Sequence, residues 1–301
     1  MLDPSKLRRG LAVVNAYDVL PPVRHFVDRM AFELKALGIE LETKSTAEIY
    51  AFIGSNGELY SADLPYDFVL FLDKDRYISL LLEEAGMRLF NSARAIAACD
   101  DKMLTYMNLM HFGVRMPKTV SGPLHYSLLD NDEFLNNLVK VIPFPIVVKT
   151  NFGSQGDGVY LAHNMDELLE IETRVGYKPR LYQEYIQTSE GFDYRLIVVN
   201  GNYVAGYKRR SLNGDFRSNL ACGGVGVEHT MKSYQIETAE RIARALKLDF
   251  CGIDLLESGD PEKPILCEIN SNAFIKGAEE VTGVNIAKAY AKHIYDEIYR
   301  V

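Results

Sequence analysis

FCGIDLLESGDPEKPILCEIN, residues 250–270, reads as two strand-like segments joined by a polar turn. The second segment is apolar, yet it carries a carboxylate and an amide. An unpaired charge is costly to bury, so the polar face must meet either water or a cation. Alternation along the strand predicts two faces, one with Ile265, Cys267 and Ile269 and the other with Leu266, Glu268 and Asn270.

A hairpin around this turn would bring three oxygen-bearing side chains onto one patch. Asp254 lies on the first strand, and pairing can place it beside Glu268 and Asn270. Two carboxylates and an amide oxygen are hard ligands, which suit Mg²⁺ better than zinc. Magnesium usually keeps substrate phosphates among its ligands, so the pattern indicates a phosphate-bearing ligand. A hydrogen-bonded polar edge of the sheet explains it equally well.

Residues 147–162, VVKTNFGSQGDGVYLA, form a second cluster. Lys149 ends a strand, and glycines follow at positions 153, 156 and 158. Glycine lets backbone N–H groups converge on an anion, which is typical of a phosphate nest. The loop lacks GK[ST] and precedes a strand, so it is not a Walker A loop. A plain flexible hairpin is the alternative.

The Asn200-Gly201 pair in DYRLIVVNGNYVAGYKRRS is the strongest hairpin signal in the chain. The two plausible registers place Asp193 opposite Lys208 or opposite Arg210. Such a pair is on its own only a weak cross-strand salt bridge.

Five cations and one acid lie between Arg195 and Arg217, in a chain whose net charge is −8. This basic island indicates either a local anion site or a solvated hairpin surface. Arg217 and Asn219 lie beside a second glycine cluster in residues 213–226, where Arg217 would suit a developing phosphoryl charge.

The composition is that of a soluble globular protein, with 48% hydrophobic and 25% charged residues in 301. The acidic balance argues against binding to DNA, and no apolar run is long enough for a membrane span. Four cysteines without CxxC spacing argue against a zinc site or a disulfide framework, so a reducing cytoplasm is expected. A homo-oligomer is compatible with the sequence, which does not define the oligomeric state.

The first 95 residues alternate strands with helices, which predicts a parallel sheet covered by helices. No G-x-G-x-x-G follows the first strand, so a dinucleotide site is not indicated there. Asn91-Ser92 predicts the start of one helix that runs past Lys102 to Gly113. From Met116 onward the strands are mostly antiparallel in character.

In order over residues 90–280, eight segments resemble the ATP-grasp superfamily, specifically its RimK-like glutamate ligase branch. They are DKMLTYMNLMHFGVRMPKT, FPIVVKTNFGSQGDGV, YQEYI, GFDYRLIVVNG, YKRRS, GDFRSNLACGG, GIDLL and CEINSN. The resemblance implies an α/β (α+β) ATP-grasp fold. A parallel pre-ATP-grasp domain (1–95) would precede a central subdomain (96–187) and a C-terminal subdomain (188–301), whose antiparallel sheets sandwich ATP.

The resemblance also implies roles for individual residues. The ATP contacts would be Lys102, Lys149, Gly153, Ser154, Gln155, Gly156, Glu184, Tyr185, Asp193, Lys208, Arg217, Ser218 and Asn219. The catalytic residues would be Arg210, Arg217 and Asn219, and the metal ligands Asp254, Glu268 and Asn270. Two Mg²⁺ ions are expected, and Mn²⁺ is compatible with the same ligands.

The activity implied is ATP-dependent joining of a carboxylate to an amine through an acyl phosphate. The expected reaction adds glutamate or a similar amino acid to a protein, peptide or cofactor. The alternatives are a free dipeptide ligase and an ATP-binding regulatory or scaffold protein without ligase activity. Family members commonly continue the metal triplet as Asn-Ala-Ser-Pro-Gly, whereas this chain reads SNAFIK over residues 271–276. Substrate specificity is therefore open, and Lys276 is either a contact for an acidic substrate or a solvated lysine.

Overall fold

The structure is a computed structural model that describes residues 7–17, 19–61, 64–124, 126, 132–218, 223–260 and 262–299. The first part of the chain forms β1 (Arg8–Val14), α1 (Pro21–Ala36), β2 (Ile39–Ser45), β3 (Ala51–Ile53), β4 (Leu59–Ser61), β5 (Phe68–Phe71), α2 (Arg76–Glu84), β6 (Leu89–Phe90), α3 (Ala93–Asp100) and α4 (Lys102–Leu109). The middle forms β7 (Thr119–Ser121), α5 (Asp132–Val141), β8 (Ile146–Thr150), β9 (Val159–Ala162), α6 (Met165–Val175) and β10 (Arg180–Glu184). The last part forms β11 (Phe192–Val199), β12 (Asn202–Arg210), β13 (Val225–Glu228), α7 (Ser233–Ala245), β14 (Phe250–Leu256), β15 (Ile265–Asn270), α8 (Lys276–Thr282) and α9 (Ile286–Tyr299).

The N-terminal sheet is parallel, as predicted, with the strand order β2-β1-β5-β6. Helix α1 packs on it through Phe26, Met30 and Leu34, which recur at helical spacing and are buried. The short antiparallel hairpin β3–β4 was not predicted, because its strands are only three residues each.

The helix predicted from Asn91-Ser92 is two helices, so that prediction was wrong in its length. Ser92 caps α3 as expected, by accepting a hydrogen bond from the backbone N–H of Ala95. Asp101 then leaves the helical conformation and caps α4, where its carboxylate accepts from the N–H groups of Met103 and Leu104. The break makes Lys102 the first residue of α4.

The central sheet is antiparallel, in the order β7-β10-β8-β9. Helices α5 and α6 cover one face of it, through a core that includes Leu138, Leu168 and Tyr182. Its other face is free to form a wall of the cavity described below.

The C-terminal sheet is also antiparallel, in the order β13-β12-β11-β14-β15. One face packs against α7 and against residues of α3 and α4, including Cys99 and Leu109. On the opposite face, the part around Ile197 and Phe250 packs against α1, α8 and α9. The part of that face that carries Asp254 and Glu268 is not covered by these helices and can meet a ligand.

The three large sheets fall in successive segments of the chain, but the helices cross between them. Helices α3 and α4 share a core with the C-terminal sheet, and α9 packs on α1 of the N-terminal region. Among the described residues, no helix has the length and apolar character needed to cross a bilayer.

Candidate functional site

A cavity of about 740 Å³, counted with its open mouth, lies between the central and C-terminal sheets. Strands β8, β9 and β10 supply one wall, and β11, β14 and β15 supply the other. The residues proposed from the sequence that line it are Lys102, Lys149, Gly156, Glu184, Tyr185, Asp193, Arg217, Ser218 and Glu268.

Lys102 connects the two walls of the cavity. Its Nζ donates to the carbonyl oxygen of Gly153, at 2.9 Å, and lies 3.8 Å from Oε1 of Glu268. Burial lowers the pKa of this ammonium, and the nearby Glu268 carboxylate opposes that effect only in part. Lys102 is therefore a buried cation with one weak ionic partner, suited to a phosphate.

Lys149 on β8 is as buried as Lys102, but its pKa is shifted in the opposite direction. Burial acts to lower its pKa, yet the neighbouring Cys267, Tyr106, Glu268 and Asp254 more than offset this and raise it. Its Nζ lies 4.0 Å from Sγ of Cys267. The surroundings of Lys149 therefore favour its charged form.

Strand β15 departs from the alternation predicted for it. Asp254 pairs with Glu268, but Leu255 pairs with Leu266, so Cys267 is an extra residue in a β-bulge. The bulge moves Leu266 to the helix-covered face beside Ile269 and lets Cys267 line the cavity. The predicted placement of Leu266 with Glu268 was therefore wrong.

The glycine-rich segment forms a tight turn at the mouth of the cavity. Gln155 and Gly156 both have positive φ, 59° and 84°, and the N–H of Asp157 donates to the carbonyl of Ser154. At Gly158 a Cβ atom would lie 2.1 Å from Oγ1 of Thr150, so only glycine fits there. The carbonyls of Gly153 and Gly156 are both held by cations.

Arg217 supplies the second of those cations. Its Nη1 donates to the carbonyl oxygen of Gly156, at 2.9 Å, while Asp215 pairs with the rest of the guanidinium. Ser218 is buried beside it at the cavity. Asn219, which was proposed as catalytic, lies outside the described residues.

The register of the first hairpin differs from both predicted alternatives. Asp193 lies opposite Arg209, rather than opposite Lys208 or Arg210. The turn at Asn200-Gly201 is as predicted, but Val204 is an extra residue in a bulge on β12 that shifts the register by one. Arg209 therefore shares the ligand face with Asp193.

Four buried charges alternate in sign on that face: Asp193, Arg209, Asp254 and Arg195. Arg209 donates through Nε to Asp193 at 2.7 Å, and its Nη2 lies 2.8 Å from Oδ2 of Asp254. Arg195 makes a two-pronged pair with Asp254, through Nε and through Nη2 at 2.7 Å. Burial alone would raise the pKa of the Asp254 carboxyl, but the two arginines hold it below its ordinary value.

Space for Arg195 comes from Gly252, its neighbour on β14. A Cβ atom at Gly252 would lie 3.1 Å from both Cδ and Nη1 of Arg195, and 2.7 Å from Cβ of Ala273. The glycine therefore permits the arginine to lie flat against the sheet.

Lys208 and Arg210 lie on the other face of β12. Lys208 is paired with Tyr194, and its Nζ sits 3.6 Å from the ring centre of Phe192. Arg210 is exposed at the end of the strand. The structure does not bring either side chain together with Glu268, so their proposed roles remain predictions without geometric support.

The proposed metal ligands share one face, because Asp254 pairs with Glu268 and Gly252 pairs with Asn270. Glu268 lines the cavity, and Nδ2 of Asn270 is buried with no hydrogen-bond partner among the described residues. The donor set of two carboxylates and an amide fits a hard cation such as Mg²⁺. Both oxygens of Asp254 are held by arginine, so Glu268 and Asn270 are the more available donors.

The end of β10 forms the far side of the cavity. Glu184 accepts a hydrogen bond at Oε1 from the N–H of Lys118, and its own N–H donates to the Lys118 carbonyl. Burial raises the pKa of the Tyr185 phenol to about 12, so it stays neutral. Gln183 also lines the cavity, and its Oε1 is buried without a partner among the described residues. That acceptor would suit the amino group of a base.

Sequence reasoning missed four residues at this site: Arg195, Arg209, Gln183 and Cys267. Arg195 and Arg209 were counted in the basic island, and Arg195 was placed on the face of Asp193, but neither was assigned to the site. The bulge at Val204, which brings Arg209 opposite Asp193, cannot be seen in the alternation. Gln183 belongs to the YQEYI segment quoted above, directly before Glu184 and Tyr185, so the sequence did contain a pattern that could have identified it. Lys276 begins α8, has 58% of its side chain exposed and lies 3.9 Å from Glu280, as a solvated lysine does.

Comparison with known proteins identifies the region that carries this site. A family model described as the RimK-like ATP-grasp domain matches residues 99–294. The match includes both walls of the cavity and the three proposed metal ligands.

Two relatives show how similar this chain is to known proteins of the family. The "Probable alpha-L-glutamate ligase" of Xanthomonas oryzae pv. oryzae is 36% identical over 222 residues, which are 73% of this chain and 72% of that protein. The human "Beta-citrylglutamate synthase B" is 32% identical over 246 residues, 79% of this chain and 62% of that protein.

The fold is shared over nearly the whole chain. A RimK domain ATP-grasp protein from Sphaerobacter thermophilus superimposes with a TM-score of 0.69, covering 95% of this chain and 99% of its own, at 17% identity. The predicted arrangement of a parallel sheet followed by two antiparallel sheets is confirmed.

Proposed function

The chain belongs to the RimK-like ATP-grasp family, and we propose that it is an ATP-dependent ligase that joins a carboxylate to an amine. The carboxylate oxygen attacks the γ-phosphorus of ATP, giving an acyl phosphate and ADP. The amine then attacks the acyl carbon, an amide forms and phosphate leaves.

The observation that carries this proposal is the convergence of opposite charges on one cavity between two sheets. Lys102, Lys149 and Arg217 line it together with Glu268, and Lys102 lies 3.8 Å from that carboxylate. Phosphoryl transfer needs mainly positioning and charge stabilisation, and these groups supply both.

Each residue has a distinct task in the proposed reaction. Lys102 and Lys149 hold the phosphates from two directions, and Arg217 stabilises the charge on the transferred phosphoryl group while it holds the glycine turn. Glu268, Asn270 and Asp254 would hold Mg²⁺, which when bound neutralises phosphate charge. Two ions are proposed, and Mn²⁺ would suit the same donors.

The nucleotide base would lie at β10, beside Gln183, Glu184 and Tyr185. A buried, unpaired acceptor at Gln183 supports recognition of an adenine amino group there. Asp193 would approach the ribose from the opposite wall, although Arg209 already holds its carboxylate.

The amino-acid substrate is proposed to be glutamate or a similar residue, added to a protein, peptide or cofactor. Support comes from relatives whose names include a glutamate ligase and a citrylglutamate synthase. A reducing compartment such as the cytoplasm is proposed as well, since the three described cysteines, Cys99, Cys251 and Cys267, are all free thiols.

Hydroxylamine trapping tests the activity directly. The protein is incubated with Mg-ATP, hydroxylamine and a panel of carboxylates that includes glutamate, citrate and small neutral amino acids. A hydroxamate together with stoichiometric ADP identifies the acid that is activated.

Two results would contradict the proposal. ADP release that never responds to any carboxylate would favour a regulatory ATP-binding protein. Ligation that releases AMP and pyrophosphate, rather than ADP and phosphate, would exclude the acyl phosphate, whether or not a hydroxamate forms.

A further inference from the structure

Gln183 on β10 carries a hydrogen-bond acceptor that the described residues leave unpaired. Its side chain lines the cavity, the residue is 1% exposed, and its Oε1 has no partner among them. An unpaired amide oxygen is costly to bury, so the site is complete only when a ligand supplies a donor. Aliphatic side chains that suit a flat apolar base line the same cavity, namely Val147, Val159, Ile186 and Leu256.

The nitrogen end of the Gln183 amide is held by Thr119. The two residues are paired between β10 and β7, and Nε2 of Gln183 donates to Oγ1 of Thr119 at 2.9 Å. The Thr119 hydroxyl has a single proton, which it donates to the backbone carbonyl of Pro117 at 2.7 Å. Thr119 is therefore an acceptor toward Gln183, and the nitrogen of the amide is the end that can face it.

Tyr106 on α4 favours the same orientation of the amide. Its hydroxyl donates to the backbone carbonyl of Cys267 at 2.7 Å, so toward any other group the phenol oxygen is an acceptor. Burial raises the pKa of this phenol, and the Gln183 side chain opposes that effect in part as a hydrogen-bond donor. Reversing the amide would place its oxygen against two hydroxyl oxygens whose protons are already donated elsewhere.

We propose that Thr119 and Tyr106 are positioning residues that fix the Gln183 amide with its oxygen toward the ligand. This orientation selects a 6-amino purine over a 6-oxo purine. The amino group of adenine donates to Oε1, whereas the oxo group of hypoxanthine or guanine would meet it with lone pairs and leave both acceptors unpaired. This inference rests on the proposed function and adds to it the residues that set its nucleotide specificity.

Equilibrium binding of two nucleotides tests the selection. Mg-ADP and Mg-IDP are titrated by calorimetry into the intact chain. IDP has a 6-oxo group and a proton on N1 where ADP has a 6-amino group, and it lacks the 2-amino group of GDP. The unsubstituted protein should bind Mg-ADP about 10- to 100-fold more tightly than Mg-IDP, the effect of buried polar groups left unpaired.

Thr119→Val tests the positioning role most directly. Valine keeps the shape of the side chain but removes the acceptor, so the amide can reverse and present its nitrogen to a 6-oxo group. The ratio of the two dissociation constants should fall about tenfold, because Mg-IDP binds more tightly and Mg-ADP less tightly. Tyr106→Phe should lower the ratio too, since it removes the second acceptor. Thr119→Ser keeps the hydroxyl and should keep the ratio.

Two further variants separate positioning from structure. Gln183→Leu removes the amide and should lower the ratio mainly by weakening Mg-ADP. Thr173→Val is the matched control, because it removes a hydroxyl that donates to the backbone carbonyl of Leu169 on α6, on the far side of the central sheet. It should leave the ratio unchanged. General damage to the fold weakens both nucleotides alike, so it does not move the ratio.

The outcomes distinguish this inference from the proposed function. A ratio that falls in Thr119→Val and is kept in Thr119→Ser, with no hydroxamate from any acid, supports the positioning role and contradicts the ligase. Hydroxamate formation with a ratio that Thr119→Val and Tyr106→Phe leave unchanged keeps the ligase and overturns the inference. Equal weakening of both nucleotides in those variants overturns it as well, since a purely structural role gives that result. Failure to bind either nucleotide would overturn the nucleotide site itself, and both proposals with it.

Discussion

The two walls of the cavity between the central and C-terminal sheets are built on different physical principles. On the C-terminal wall, Asp193, Arg209, Asp254 and Arg195 form a row of buried charges fixed on neighbouring strands. On the central wall, two cationic side chains, Lys102 and Arg217, donate to backbone carbonyls of the glycine turn in residues 151–158. Thr150 also holds the turn, through its hydroxyl to the carbonyl of Phe152 and its N–H to that of Gly158.

The difference indicates a division of labour. Burying four charges is costly, and that cost is met during folding, so the C-terminal wall presents a fixed electrostatic surface before any ligand arrives. The two cations that donate to the glycine turn are also the ones proposed to meet phosphate. On the proposed function, phosphate oxygens would share or replace the carbonyls of Gly153 and Gly156 as acceptors, while the other wall stays in place.

The largest effect on the stability of the fold is expected from Arg209→Met. The substitution leaves Asp193 without its main partner and Asp254 with one arginine instead of two, in a buried site. Breaking a buried pair in this way costs about 3–5 kcal/mol. The loss should appear as a lower free energy of unfolding in urea.

Arg210→Met is the matched control, since Arg210 is next in sequence but exposed and on the other face. It should change the free energy of unfolding by no more than about 0.5 kcal/mol. If the two variants were equally stable, the fixed wall would not depend on the charge row.

The contrast between Arg209 and Arg210 also shows what the sequence could and could not predict. Alternation predicted the hairpins, the turn at Asn200-Gly201 and the shared face of Asp254 and Glu268, because strand pairing and burial repeat with a period of two. It failed at the bulges, since an extra residue changes the face of every side chain beyond it and leaves no mark in the composition.

Some features lay beyond any local pattern. The sequence analysis found the N-cap at Ser92 but not the second one at Asp101, which ends α3 and begins α4. The charge row joins residues that are 59 positions apart, Arg195 and Asp254, and no local spacing encodes that contact. The domain boundaries and the roles of the individual site residues stay predictions.

Glu268→Gln should give the largest effect on catalysis while leaving the fold intact. The amide keeps the shape but removes the charge that faces Lys102 and would bind the metal. Loss of one such electrostatic group lowers turnover about 100-fold or more. Hydroxamate formation at saturating Mg-ATP is the measurement.

Glu262→Gln, an exposed acid in the turn of the same hairpin, is the control and should keep full activity. Equal activity of the two variants would mean that β15 contributes no ligand to the reaction.

Arg217→Ala tests how the glycine turn of the central wall is held. It removes the donor to Gly156 and a charge that is proposed to lie beside the phosphates. KM for ATP should therefore rise about tenfold, the effect of one charged hydrogen bond. The released turn should also be cut faster by a protease in the absence of nucleotide, near the exposed Phe152. Arg217→Lys keeps the charge, and its KM for ATP and its rate of cleavage should lie between those of the unsubstituted protein and those of Arg217→Ala. A variant with unchanged KM and unchanged cleavage would show that the turn needs no clamp.

Lys102→Arg should have the smallest effect on activity at neutral pH. Its effect at alkaline pH distinguishes Lys102 from Lys149, the other lysine of the cavity. Burial lowers the pKa of Lys102 below its ordinary 10.5, whereas its neighbours raise that of Lys149. As the pH rises, Lys102 loses its proton first, and kcat/KM for ATP should fall on an alkaline limb below pH 10.5. Arginine stays charged there, so the variant should move the limb to higher pH while changing the neutral value little. A limb that stays in place would assign the titration to a group other than Lys102.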